Sequence, residues 1–262
     1  MNTLLKVLKY QSKDAARSRW LIAYAAFFML VAEVLLRFSG DPMKVQLSLV
    51  SVVLFLVPLV SIVFGTVYLY NAREFIELLL AQPVNRRQMY AGLYLGLTLP
   101  LVLAFICGLG TPFLFHGGDA SAYGTLAWLL TAGVVLTCVF TAVASLIAIR
   151  CEDRLRGLGA AIGVWMLLTV VYDGFVLFVL AAFSSHPLER ATLGLMMANP
   201  IDLARVSLLL RFDGAAMMGY TGAVFLDFFG KGYGMALTAA ALALWMLLPL
   251  TFGMRAFERK DF

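Results

Sequence analysis

Six apolar runs dominate the chain, at 20–36, 45–70, 91–115, 125–149, 158–183 and 235–254. An α-helix needs roughly 20 apolar residues to cross the hydrocarbon of a bilayer, so each run predicts a transmembrane helix. The first is short and is interrupted by Glu33. The second has 26 residues. At 1.5 Å per residue that is about 39 Å, so it must tilt, kink or project beyond the bilayer. Pro58 in its middle, Pro100 in the third run and Pro249 in the sixth are candidate kink points.

The segments between the runs are patterned too. Over 1–19, Lys6, Lys9, Lys13 and Arg17 share one helical face and Leu4, Leu5 and Leu8 fall away from it. That pattern predicts a basic amphipathic helix on the inner leaflet, turning into the first span. Over 71–90, Phe75, Leu78 and Leu79 form an i, i+3, i+4 apolar face beside a charged face of Arg73, Glu74 and Glu77. Pro83 ends that helix, and Asn85, Arg86 and Arg87 begin the next piece. Two carboxylates are wasted on lipid and suit a protein partner. The turn 150–157, RCEDRLRG, is placed to support the same contact. The segment 184–234 is too long for a bare loop and reads as short, half-inserted helices. One of them starts at Asn199 and Pro200, with Asp202 in its first turn and Arg205 three residues on.

Composition and charge settle the class and the orientation. Hydrophobic residues make up 62% of the 262 and charged residues 13%, with a mean hydropathy of +0.91. A soluble globule cannot hide that much apolar surface. The expected fold is an all-α integral membrane protein forming one transmembrane domain over 1–262. It comprises six spans, an N-terminal interfacial helix, a cytoplasmic coupling helix at 71–90 and outer half-inserted helices between spans 5 and 6. Segments 1–19, 71–90, 150–157 and 255–262 alternate onto one side and hold 14 of the 20 Lys and Arg. By the positive-inside rule both termini are cytoplasmic. The net charge of +5 is spent on this asymmetry, and no basic stretch interleaves with aromatics as nucleic-acid binding would require.

Catalytic signatures are missing. There is no G-x-x-x-x-G-K-[ST], no HExxH and no GxSxG, so the chain is expected to be no enzyme and to hold no cofactor. If ATP drives it, another chain hydrolyses the ATP. Cys107, Cys138 and Cys151 form no metal or disulfide framework. No metal site is expected. His116, His186, Met196, Met197, Met217 and Met218 carry donor types that suit Cu(I), but Met is also the gap-filler of apolar packing. Two carboxylates lie inside spans. Glu33 has Arg37 one turn away for a local pair, whereas Asp173 has no basic residue within a turn. Buried charge in a span faces a bundle interior or water, and is a candidate for function. Gly92 and Gly96, and Gly159 and Gly163, have the G-x-x-x-G spacing that lets helix backbones touch.

These features together resemble the ABC-2 type permeases. EFIELLLAQP (74–83) followed by Asn85 and Arg86 is similar to that family's ATPase-coupling segment, although Phe75 and Ile76 stand where Gly-Thr is usual. The tail RAFERKDF resembles the family's basic C-terminal ending. Within the family, 158–180 and 198–219 resemble the NosY-type permeases of the nitrous oxide reductase maturation (NosDFY) system. The residues that carry this are Gly163, Val164 and Trp165 with Asp173, and Asn199 and Pro200 with Asp202 and Arg205. The resemblance implies a homodimer in a bacterial inner membrane with two NosF-like ATPases, which hold ATP and Mg. It implies a NosD-like periplasmic protein that Asn199, Pro200, Asp202 and Arg205 would face, and a role in copper-site assembly. Arg73, Glu74, Phe75, Glu77, Leu78, Pro83, Arg86 and Arg87 would then be the ATPase-coupling residues. The alternative is an exporter of a lipid or small hydrophobic molecule, with a path between copies of spans 2 and 5.

Overall fold

The computed structural model describes residues 3–38, 42–80, 84–116, 120–182, 194–209 and 232–260. Among these residues there is no strand. The helices are α1 (Thr3–Ala16), α2 (Arg19–Phe38), α3 (Pro42–Asn71), α4 (Arg73–Leu80), α5 (Arg86–His116) and α6 (Ala120–Arg150). They continue with α7 (Arg154–Met166), a π-helical turn (Leu167–Val171), α8 (Tyr172–Ala182), α9 (Pro200–Leu209) and α10 (Gly232–Arg259). Six helical stretches are long and apolar enough to span a membrane: Arg19–Phe38, Val45–Asn71, Arg86–His116, Tyr123–Arg150, Arg154–Val179 and Gly234–Arg259. They coincide with the six apolar runs. The protein is therefore an all-α, multi-pass membrane protein, and both chain ends lie on one face, here the terminal face.

Helix ends follow local chemistry. The Asp153 carboxylate accepts from Leu155 N–H at 2.8 Å and caps α7, and the Asn85 side chain accepts from Arg87 N–H at 3.0 Å at the start of α5. Both satisfy amides that a first helical turn leaves open. Pro58, Pro100, Pro112 and Pro249 are accommodated inside continuous helices. The helix α3 runs 30 residues, about 45 Å, so it exceeds the hydrocarbon thickness even more than its apolar run implies.

Spans 3 and 4 form the centre. Their apolar windows are 61% and 56% buried, against 17% and 11% for spans 5 and 6. A polar seam joins α5 to α6. Tyr90 Oη lies 2.9 Å from Ser145 Oγ, Tyr94 Oη donates to the Cys138 carbonyl at 3.0 Å, and Thr98 Oγ1 lies 3.1 Å from Thr141 Oγ1. Their i, i+4, i+8 spacing on α5 puts all three pairs on one face, and in lipid such pairs are the glue that apolar contact alone does not supply. The small residues of α5 receive other helices. Gly108 lies where a Cβ would stand 2.5 Å from the Ala25 carbonyl oxygen of α2, and Phe28 packs edge-on against Phe105 beside it, centroids 5.2 Å apart.

The N-terminal helix departs from expectation. It docks on α5 with Val7, Gln11 and Ala15 buried, a stripe at i, i+4, i+8. A Cβ on Gly96 would stand 2.6 Å from Gln11 Cβ, so Gly96 provides the notch. Tyr68 of α3 donates to the Gln11 carbonyl and lies against the Gln11 and Asp14 side chains. Gly96 of the first G-x-x-x-G pair thus receives α1. Gly159 and Gly163 of the second have open space around them.

Replacing Gly96 or Gly108 with Val forces α1 or α2 off α5. Overpacking of this kind costs about 1–3 kcal/mol. The expected result is a thermal midpoint several degrees lower in detergent, read by loss of the monodisperse peak. Gly110→Ala, with open space around it, should leave the midpoint unchanged.

Candidate functional site

Two polar constellations sit at opposite ends of the bundle. The first is built on the terminal face, around α4. Arg73 begins that helix, pairs with Glu77 at 3.2 Å and donates to the Glu152 carbonyl at 3.1 Å. One turn earlier Tyr70 donates to the Cys151 carbonyl at 2.8 Å. The helix α4 is thereby pinned to the turn 151–153 that starts span 5. The side chain it buries is Ile76, with Leu79 and Leu80 partly buried beside it. The apolar face is therefore Ile76, Leu79 and Leu80, one position later than the expected Phe75, Leu78 and Leu79. The reason is Phe75, which is taken by a ring stack on Tyr10 of α1, centroids 4.8 Å apart. Leu78 is turned outward and is 72% exposed, and Leu155 across the turn is 79% exposed. Glu74 and Glu77 are exposed beside them.

Arg86 and Arg87 do something the sequence pattern did not suggest. The Arg86 guanidinium donates to the carbonyls of Glu258 and Lys260 at 2.9 and 2.8 Å, closing the C-terminal end of α10. Arg87 pairs with the Glu258 carboxylate. Lys260 in turn donates to the Ile149 carbonyl at 2.9 Å, at the end of α6. A cation on the last carbonyls of a helix complements its dipole. These two arginines therefore fasten the end of α10 to span 3, and Lys260 fastens it to span 4. Pro83 lies outside the described residues, as do Met217 and Met218.

The second constellation lies at the far face, where span 5 meets α9. The π turn in span 5 makes Tyr172 N–H reach back to the Leu167 carbonyl. The Leu168 carbonyl thereby loses Tyr172 N–H, its α-helical donor. The Asn199 side-chain amide donates to it instead, at 2.8 Å. The same amide reaches Asp202 Oδ2 at 3.0 Å, and Asn199 Oδ1 accepts from Ile201 N–H at 3.0 Å to cap α9. Arg205 completes the cluster, with one nitrogen 3.0 Å from Asp202 Oδ1 and the other 3.0 Å from Asp173 Oδ2. Tyr172 also donates to the Leu195 carbonyl.

Asp173 thus has a cationic partner 32 residues away in sequence. Asn199, Pro200 and Asp202 do not face outward as partner-facing candidates would: all three are buried. They are consumed in tying α9 to span 5. Burial pushes the Asp202 carboxyl up to about 6 from 3.8, which the Arg205 cation offsets in part and the Asp173 carboxylate reinforces. Beside this clasp a cleft of about 430 Å³ opens between α3, span 5 and α9. Leu47, Val50, Leu54 and Phe55 wall it on α3, and Asp173 and Arg205 lie at its polar edge.

Glu33 belongs to neither constellation. It pairs with Arg37 at 2.6 Å and lies 3.5 Å from His116 Nδ1 of α5, tying spans 1 and 3 at the far face. The π turn, the Tyr172 contact and the Glu33–His116 approach had no counterpart in the sequence reading. A Thr among β-branched residues before Tyr172 is the faint signal for the first; the others are long-range.

The family model for the ABC-2 family transporter protein matches residues 38–262. The chain belongs to the ABC-2 family of transporter proteins. Two curated relatives are similar to this ABC-2 permease along almost its whole length. The "Probable ABC transporter permease protein NosY" of Pseudomonas aeruginosa is 27% identical over 271 residues, covering 97% of this chain and 94% of its own. The protein of the same name from Stutzerimonas stutzeri is 27% identical over 273 residues, covering 97% and 95%. The ABC-2 permease is thus NosY-like across all six spans, and its matched region takes in both constellations.

The raised carboxyl of Asp202 gives the permease a pH signature. A carboxyl whose folded value lies above its unfolded one favours folding when protonated, so the contribution is present below about 4 and is lost as pH rises through about 6. Asp202→Asn removes that titration. The difference in stability between wild type and variant, followed by thermal denaturation, should change across pH 4–7 in this sense and be flat above it.

Proposed function

We propose that this permease couples ATP hydrolysis by a separate ATPase to a partner or cargo on the opposite side of a bacterial inner membrane. Both termini and α4 lie in the cytoplasm on this reading, as the 14 of 20 basic residues on those segments favour. The observation that carries the proposal is the exposed Leu78 on α4, flanked by the exposed Glu74 and Glu77 on the same helix, which Arg73 pins to the turn before span 5, where Leu155 is also exposed. An apolar knob with an acidic rim, on a helix too short to enter the bilayer, suits a protein partner. The partner is an ABC ATPase of the NosF kind in two copies, which holds ATP and Mg; the permease supplies no nucleotide site.

The permease works as a homodimer in this account. Span 5 offers the face, since Gly159 and Gly163 have open space around them and Ile162, Met166 and Val170 are exposed. Small residues at that spacing let two backbones approach. The NosY names of the relatives support a place in a NosDFY system: a NosD-like periplasmic protein on the far face, and copper-site assembly of nitrous oxide reductase as the outcome. Surface lipid and span ends remain its other contacts, and nucleic acid has none.

Glu74→Lys combined with Leu78→Asp should cut the ATPase retained on the purified permease about tenfold while the permease stays monodisperse. Undiminished retention would count against α4 as the docking site.

The cleft of about 430 Å³ supports a second reading. Its mainly apolar lining with Asp173 and Arg205 at one edge suits a lipid or a small hydrophobic molecule, in an exporter whose path runs between copies of spans 2 and 5. Vesicles holding the permease and its ATPase distinguish the two: ATP-dependent directional movement of a labelled lipid favours export, and ATP turnover without movement favours coupling to a partner.

A further inference from the structure

Tyr24 of α2, Ser61 of α3 and Thr169 of span 5 each bury a hydroxyl without a partner among the described residues, and of the three only Thr169 lies in a π turn. Seven helical threonines, Thr66, Thr98, Thr111, Thr131, Thr137, Thr141 and Thr238, return their hydroxyl to the carbonyl four residues back, at 2.7 to 2.9 Å. Thr169 does not. Its hydroxyl is buried and has no partner among the described residues. It sits in the middle of the π turn Leu167–Val171 and makes no bond to the Trp165 carbonyl four residues back. An unpaired buried hydroxyl costs free energy, and so does a π turn, which is rare and recurs at functional sites. Something must hold this register against the α-helical one.

The Asn199 amide meets that need. In a continuous α-helix the Leu168 carbonyl would take Tyr172 N–H and have no use for Asn199, and Thr169 would regain the Trp165 carbonyl. In the π register those bonds are forgone, and the Asn199 amide stands 2.8 Å from the Leu168 carbonyl. Within span 5 the π register trades the Thr169 hydroxyl bond for the Asn199 one, and the Tyr172 and Asp173 contacts beyond it make it the resting state, so the α register is a second state that needs a drive. Removing the extra residue of the π turn rotates everything beyond it by about 100° and shifts it by about 1.5 Å. Tyr172 and Asp173 lie immediately beyond it. Their contacts with the Leu195 carbonyl and Arg205 would both part.

We propose that span 5 switches between a π and an α register at 167–171, with Asn199 as the positioning residue that holds the π register. The 194–209 segment is thereby geared to rotation of α8. This rests on the coupling reading only for what drives the switch; the two registers belong to the chain itself.

The test follows the phase of α8. Single cysteines are placed at positions 174 to 179 in full-length permease lacking Cys107, Cys138 and Cys151, and labelled with a membrane-impermeant methanethiosulfonate in vesicles. The same is done in Asn199→Leu, which removes the amide. The position of peak labelling is expected to move by one residue in the variant, while cysteines at 155 to 162 keep their pattern. Asn199→Leu with Thr169→Val, which deprives the α register of its hydroxyl bond, should return the peak to its wild-type place. Should Asn199→Leu fail to elute as one species, Asn199→Asp, equal in size and without amide hydrogens, replaces it. An unmoved peak in the folded variant overturns the switch, whether or not the ATPase binds at α4.

Discussion

A carbonyl set free inside a span has to be satisfied by the protein, because the hydrocarbon offers it nothing. The Leu168 carbonyl is such a group, and the Asn199 amide at 2.8 Å is its answer. The far-face architecture depends on that bond. It fixes where α9 begins, since the same side chain caps the helix at Ile201 N–H. It brings Asp202 and Arg205 against span 5, and through Arg205 it gives Asp173 a counter-ion. Without it, Asp173 would be a half-buried carboxylate with no cation of its own element in reach, an expensive arrangement near lipid.

The two constellations are joined by one rod. Tyr70 and Arg73 hold the carbonyls of Cys151 and Glu152, next to the Asp153 cap from which span 5 departs. Span 5 then runs to the π turn and the clasp. Its packing is sparse, with Trp165 against Phe55 of α3 as a main lateral contact. A helix fastened at both ends can transmit displacement along its length, and its open flank is the one proposed above to meet the second copy. The centre is the opposite: α5 and α6 are locked by three polar pairs, and α1 and α2 close on α5 at Gly96 and Gly108. A rigid core beside a span fastened at its two ends is the mechanical contrast that the proposed coupling requires.

How much of this was legible in the residues depends on range. The six spans were, because twenty apolar residues in a row have few other uses. The Glu33–Arg37 and Asp202–Arg205 pairs were, because one helical turn sets their distance. The face of α4 was read one position early, since a local apolar period cannot anticipate that Tyr10 claims Phe75. The Gly92/Gly96 and Gly159/Gly163 pairs look alike in sequence, yet Gly96 receives Gln11 and the other two meet open space. The family resemblance points Asn199, Pro200 and Asp202 toward a periplasmic partner; here a backbone defect in span 5 gives Asn199 and Asp202 a buried use instead. The π turn itself leaves almost no local mark, for it is a matter of register and not of residue type.

The central claim is that the surface around α4 meets a motor in the cytoplasm. Its most direct check is the side on which residue 78 lies. A single cysteine replacing Leu78, in a chain without the native three, should be inert to a membrane-impermeant maleimide added to intact spheroplasts and should label fully in inside-out vesicles. Full labelling in the spheroplasts would place α4 on the wrong side for any cytoplasmic ATPase and contradict the account.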